Sequence, residues 1–228
     1  MYIIDEFSAN KKIEISLSID PDFVDYGFDD ICFFCLSKSG KIINDSDFVF
    51  HNSNCRGDSS SIIPFDKNRF RSRSQWRGST LPTSEDNAIW IGNWDGFLAD
   101  EDNLDNRYYI DNGGLYLPKL REEIVEIIVL CSGYYRYGID FNKERFRKTD
   151  FRSIKQYEIP IHLELRKFND KSILYQKWIC IKKTKETRLE RFGAELASIK
   201  RGENNSFILE TFNETELVSL MDLIDNYT

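Results

Sequence analysis

Between residues 12 and 19 the side chains alternate without a break, with Ile13, Ile15, Leu17 and Ile19 on one side and Lys12, Glu14, Ser16 and Ser18 on the other. Successive side chains of a strand point to opposite faces, so a period of two predicts a half-buried strand here rather than a helix. Such a strand needs neighbours to pair with and a second layer to cover its apolar face. The remaining chain offers both. Residues 31–36 (ICFFCL) form a continuous apolar run ending in Ser37-Lys38-Ser39-Gly40, which predicts a strand buried on both faces and then a bend, with Asp47-Phe48-Val49-Phe50 as the return strand. The β-branched density of 124–131 (IVEIIVLC) favours a further strand. Ile161, Leu163 and Leu165 alternate with His162, Glu164 and Arg166, and 173–181 is rich in β-branched and aromatic residues. Segments 192–199 and 207–212 flank the polar stretch 200–205, the signature of a hairpin.

Only the tail changes period. With Asn213 as a cap, Leu217, Val218, Leu220, Met221 and Ile224 recur at helical spacing, which predicts a short amphipathic helix lying on a sheet. Residues 52–106 differ in texture: serine, arginine, aspartate and glycine dominate, and Pro64 and Pro82 interrupt them. They predict a long elaborated loop, and loops of that length in compact domains tend to be functional or disordered. Many short strands separated by turns point to a mainly β protein, a single-domain antiparallel β-sandwich over 1–228 with a long charged loop and a short C-terminal helix. With 41% hydrophobic and 14% aromatic residues in 228, the chain has the material for a full core.

Charge and cysteine usage narrow the setting. Thirty-one basic against 38 acidic side chains give a net charge of -7, which disfavours non-specific adhesion to nucleic acid or anionic membranes. No apolar run approaches the roughly 20 residues that span a bilayer, and the first residues, MYIIDEFSANKKIEI, show no secretory pattern, so a cytoplasmic location is expected. Five cysteines, an odd number set mostly in apolar runs, predict buried thiols rather than a disulfide framework. Cys32 and Cys35 read as C-x-x-C, but three residues apart on a strand they face opposite ways.

Several pieces of the chain, in order, resemble the tellurium-resistance (TerD) family. The alternating strand ends in ISLSIDP at Asp20, an acidic and aromatic entry leads into the buried strand FDDICFFCLSKSGKI, and DSDFVFHN follows at 45–52. Further on, Tyr108-Tyr109-Ile110-Asp111 and Leu117-Pro118-Lys119-Leu120 precede the IVEIIVLC strand, and RFGAELA at 191–197 with the turn at 201–204 resembles the family's closing hairpin. The resemblance implies two packed antiparallel sheets and calcium held by acidic loops at one end. It also implies a role in resistance to tellurite, phage or other stress, often beside membrane or DNA-processing partners, and a protein partner from a stress-response complex is expected.

The family's calcium loop is acidic and punctuated by glycine. Calcium takes six to eight oxygens at about 2.3–2.6 Å, and glycines let the backbone fold tightly enough to offer carbonyls. Here 84–106 keeps the acids and loses most of the glycines, with Trp90, Trp94 and Phe97 where small residues are expected. The candidate ligands that the resemblance implies are Asp47, Asn52, Asp86, Asn87, Asp95, Asp100, Asp102 and Asp105. The competing reading is a solvated acidic loop. Just upstream, 66–77 (DKNRFRSRSQWR) carries Lys67, Arg69, Arg71, Arg73 and Arg77 with Phe70 and Trp76. Three readings stand side by side: guanidinium groups replacing the metal among the carboxylates, a single-stranded nucleic-acid contact, and a plain exposed basic loop.

Catalytic signatures are missing. His51 and His162 are the only histidines and lack zinc spacing, and there is no Gly-x-Ser-x-Gly elbow, Walker loop or dinucleotide fingerprint. Arg56-Gly57-Asp58 is read as a chance tripeptide. The expectation is a non-enzymatic TerD-like binding domain of stress response with a divergent or lost calcium site. The alternative is a nucleic-acid-contacting accessory or defence protein using Arg69, Arg71, Arg73, Trp76 and Arg77.

Overall fold

A computed structural model describes residues 2–4, 12–19, 28–58, 62, 80–92, 108–134, 157–183, 191–204 and 206–228. In chain order its strands are β1 Tyr2–Ile4, β2 Ile13–Ile19, β3 Phe28–Ser37, β4 Phe48–Val49, β5 Arg56–Asp58, β6 Thr80–Pro82, β7 Ile89–Ile91, β8 Tyr108–Leu115, β9 Ile124–Tyr134, β10 Tyr157–Lys167, β11 Ile173–Lys183, β12 Arg191–Arg201, β13 Phe207–Thr211, β14 Glu214–Glu216 and β15 Val218–Ser219. One helix, α1, spans Leu220–Tyr227, and 3-10 turns occupy Asp45–Asp47 and Leu117–Lys119.

Among the described residues these strands build two facing sheets and a separate two-stranded one, β5-β6. The first runs β1-β13-β12-β9-β3-β4, with β15 also on β12, and the second β14-β11-β10-β2-β8-β7. Every pairing along the two sheets is antiparallel except β11 with β14. The apolar side of β2 lies in the core between the sheets: Ile13, Ile15 and Leu17 are fully buried against Ile31 and Phe33 of β3, Ile127 and Val129 of β9, and Leu163 of β10. The period of two therefore does what it predicts.

Continuous apolar runs have two jobs. On β3, Ile31, Phe33 and Cys35 point into the core, whereas Cys32, Phe34 and Leu36 point outward into a second apolar cluster with Ile128, Leu130 and Leu223 of α1. The helix thus covers the outer face of the first sheet, and Cys32 and Cys35 sit on opposite faces as their spacing requires. All five cysteines are free; burial pushes Cys35 and Cys131 well above the ordinary thiol range and Cys32 in the same direction.

The tail departs from expectation. Asn213 caps nothing: Glu214–Glu216 pairs with β11, Leu217 enters the main core, and the helix starts only after Ser219. Edge pairing with Cys180, Ile181 and Lys182 wins over the helical period there, because it satisfies the backbone of three residues that a one-turn helix extension would leave frayed. The end of the helix is tied to the turn after β3: the Ile42 N–H donates to the Tyr227 carbonyl at 2.8 Å, Lys41 Nζ donates to the Asn226 carbonyl at 2.8 Å, and the Tyr227 ring lies 4.8 Å from that of Phe34. The 52–106 segment is more regular than its composition suggests where it is described, carrying β5 paired with β6, and β7 on the edge of the second sheet.

Two adjacent glycines set the spacing near that edge. A methyl group at Gly113 would meet the Phe33 ring at 2.6 Å, and one at Gly114 would overlap the Trp90 indole. Gly113 thus allows close approach between the layers, and Gly114 makes room for the indole of its cross-strand neighbour Trp90.

Candidate functional site: a carboxylate clasp on Arg121

Three turns meet at one end of the sandwich, and each brings a carboxylate or its partner. The 3-10 turn Asp45–Asp47 places Asp47 at its last position, fully buried. Asp47 Oδ2 accepts from the Ile43 N–H at 3.0 Å and the Asn44 N–H at 3.1 Å, which folds the turn onto its own side chain. The turn between β6 and β7 holds Asp86 in the same manner. Its Oδ1 accepts from Ser84 Oγ at 2.6 Å and the Ala88 N–H at 2.9 Å, while Ser84 Oγ accepts from the Ile89 N–H at 3.0 Å. Asn87 completes this turn in the left-handed region at φ 55°, which asparagine tolerates.

The third turn supplies the cation. The Leu117–Lys119 turn, with Pro118 inside it, delivers Arg121 just before β9. Arg121 Nη2 bonds directly to Asp47 Oδ1. Its Nη1 lies 3.2 Å from Glu85 Oε2 and 4.0 Å from Glu123 Oε1, its Nε lies 4.0 Å from Asp86 Oδ2, and its backbone N–H donates to that same Asp86 oxygen at 2.9 Å. One guanidinium therefore faces four carboxylates, two of them mostly buried. Burial pushes the Asp47 carboxyl above the ordinary carboxylate range, against the pull of the Asn44 and Ile43 N–H groups and of Arg121; nearby Asp86 pushes the same way as burial.

Of the expected calcium ligands, Asp47 and Asp86 come together here, with Asn87 in the Asp86 turn. Asn52 is exposed and belongs to a different turn. Asp95, Asp100, Asp102 and Asp105 lie outside the described residues, as do Arg69, Arg71, Arg73, Trp76 and Arg77. The described carboxylates are arranged around a guanidinium and not as a calcium cage: each oxygen of Asp47 and Asp86 accepts from an N–H, a hydroxyl or Arg121, and the charge of Arg121 occupies the space between them. Among the described residues no three metal-ligating side chains converge. A guanidinium does stand among carboxylates here, and it is that of Arg121. Arg121 was missed because it stands alone in sequence, 74 residues from Asp47, outside the arginine-rich run.

Other polar groups are arranged for holding rather than display. His51 lies in a turn, not a strand, with Nδ1 3.2 Å from Asp30 Oδ2. Gly57 of the Arg56-Gly57-Asp58 tripeptide is buried in the β5–β6 pair, so the tripeptide is not a projecting loop. A basic and aromatic group sits near the start of β2: Lys12 Nζ is 5.9 Å from the ring centroids of Trp90 and Tyr116, Lys119 Nζ is 5.9 Å from that of Tyr116, and Lys171 Nζ is 4.8 Å from that of Phe168. Burial and the charge of Lys119 hold the Lys12 ammonium below the ordinary lysine range. Among the described residues no helix is long and apolar enough to cross a membrane.

No family model matches the chain, and no curated protein matches it. In structure it is similar to a homologue of the telluride resistance protein TerD from Streptomyces coelicolor A3(2), at 9% identity over 95% of each chain with a TM-score of 0.47. It is also similar to a protein of unknown function, SAV2460, at 11% identity over 96% of this chain and 99% of that one, with a TM-score of 0.47.

Proposed function

We propose that this chain is a non-enzymatic, TerD-like binding domain of stress response that meets a protein partner through the charged excursion between β4 and β8. The observation that carries this reading is the clasp. Asp86, within the excursion, is tied through Arg121 to Asp47 on the frame, so a segment rich in opposite charges is anchored on a two-sheet body. Anchored loops on a rigid scaffold are where recognition residues concentrate. Calcium is not needed for this holding role.

The test is survival of a bacterial host expressing the chain when challenged with tellurite or with phage. Protection by the wild type, lost in an Arg69→Ala/Arg71→Ala/Arg73→Ala variant that melts at the same temperature, is the expected result. Equal survival with and without the chain overturns the reading. The second reading, a nucleic-acid contact, is favoured by the Lys12, Lys119 and Tyr116 group, since cations beside aromatic faces suit phosphate and stacked bases. Binding of a single-stranded DNA oligonucleotide that weakens steeply with salt would select it.

A further inference from the structure

We infer that Arg121 is a resident cation that makes this end of the sandwich independent of calcium, the carboxylates around it being spaced for a planar guanidinium and not for a metal. The inference goes beyond the binding role above and holds or fails separately from it. Its basis is the donor geometry. A calcium cage draws six to eight oxygens to about 2.3–2.6 Å from one point. Here Asp47 approaches Nη2, Glu85 and Glu123 approach Nη1 and Asp86 approaches Nε of one flat group, and no three of them converge as ligands. A guanidinium carries five donors in a fixed fork, so one side chain can satisfy carboxylates arriving from several directions. Lysine, a compact charge with no plane, cannot reproduce that spread.

The Asp47 side chain is only 1% exposed and that of Asp86 11%, so charge compensation must come from within. Two peptide N–H groups and Arg121 give Asp47 three donors, and Ser84, Ala88 and the Arg121 N–H give Asp86 three more. Asp47 Oδ2 and Asp86 Oδ1 each accept two bonds already, and the other oxygen of each is turned to Arg121, whose positive charge repels a second cation there. The clasp also joins three turns distant in sequence, around residues 45, 86 and 121.

Thermal melting of the full chain in EDTA and in millimolar calcium tests this. The wild type is expected to melt at the same temperature in both. Arg121→Ala is expected to melt about 6–12 °C lower, because it leaves a buried carboxylate unpaired, and Arg121→Lys to recover less than half of that loss. Calcium is expected to restore neither variant, whereas ethylguanidine, the missing head group, raises the melting temperature of Arg121→Ala and not of the wild type. A calcium-dependent rise in the wild type that Asp47→Asn abolishes overturns the inference. So does a full return of Arg121→Ala to wild-type stability on adding calcium, or full function of lysine in place of arginine. Should Arg121→Ala fail to fold, the wild-type comparison and Arg121→Lys still decide.

Discussion

The two sheets turn very different outer faces away from the shared core. On the first, Cys32, Phe34, Leu36, Ile128 and Leu130 are buried under Leu223 of α1, so β3 and β9 are apolar on both sides. On the second, the outward residues of the central strands are polar: Ser18 of β2 is 6% exposed, and His162 and Glu164 of β10 are each 4% exposed. The difference is written in the sequence as texture, continuous runs such as ICFFCL and IVEIIVLC against alternating ISLSI and IHLEL. A strand covered on both faces reads as a run, and one with a polar outer side reads as alternation. The first sheet's outer face therefore adds apolar stability, while the second's adds polar groups that must be satisfied one by one.

Substitution can break that contrast. The largest effect is expected for Phe34→Ala, at about 3–5 kcal/mol in denaturant unfolding, since its ring stacks on Phe48 at 4.4 Å and is fully buried. A loss under 1 kcal/mol would mean that the helix-covered face is loosely held. Next comes Gly113→Ala, where the new methyl collides with Phe33 across the core; overpacking of this kind costs about 1–3 kcal/mol.

On the polar face, Glu164→Leu is expected to change stability by less than about 1 kcal/mol. Glu164 Oε1 bonds to Arg166, but Oε2 is buried without a hydrogen-bond partner among the described residues, and an apolar replacement removes that liability while leaving the part-exposed Arg166 to water. A cost above 2 kcal/mol would show that the polar row is as stabilising as the helix side.

A smaller, pH-linked effect follows from Asp47. Its folded carboxyl titrates above the ordinary range, so the folded state holds the proton more tightly than the unfolded chain. The stability it contributes is complete below the unfolded value and is lost as pH rises through the folded one. Unfolding midpoints measured across the acid range should therefore fall with pH more in the wild type than in Asp47→Asn; parallel curves would refute the sign. Smallest of all is Met221→Ser on the open side of α1, 58% exposed, expected within about 0.5 kcal/mol.

Periodicity and apolar runs made β2, β3, β4 and β9 to β13 legible, including the closing hairpin of β12 and β13, but not β1, β7 or β8. It failed at the tail, where 214–219 has helical spacing but takes up edge pairing, because a period describes which side is apolar and not which partner is available. The clasp was half legible. Asp47 and Asp86 are reached only through the family resemblance, and their shared partner is one arginine between a 3-10 turn and a strand, a position with no local signature. Similarly, Gly113 and Gly114 look like turn residues, yet they lie within β8, where the absence of a side chain makes room for Phe33 and Trp90.

The stitching of Tyr227 and Asn226 to residues 41 and 42 has a consequence for biosynthesis. A ribosome delivers β3 almost two hundred residues before the helix that shields it, so Phe34 and its neighbours stay wet and adhesive until residue 227 has cleared the exit tunnel. Any host making this chain must guard that patch for the whole interval, and nonsense truncation before residue 220 would leave it permanently uncovered.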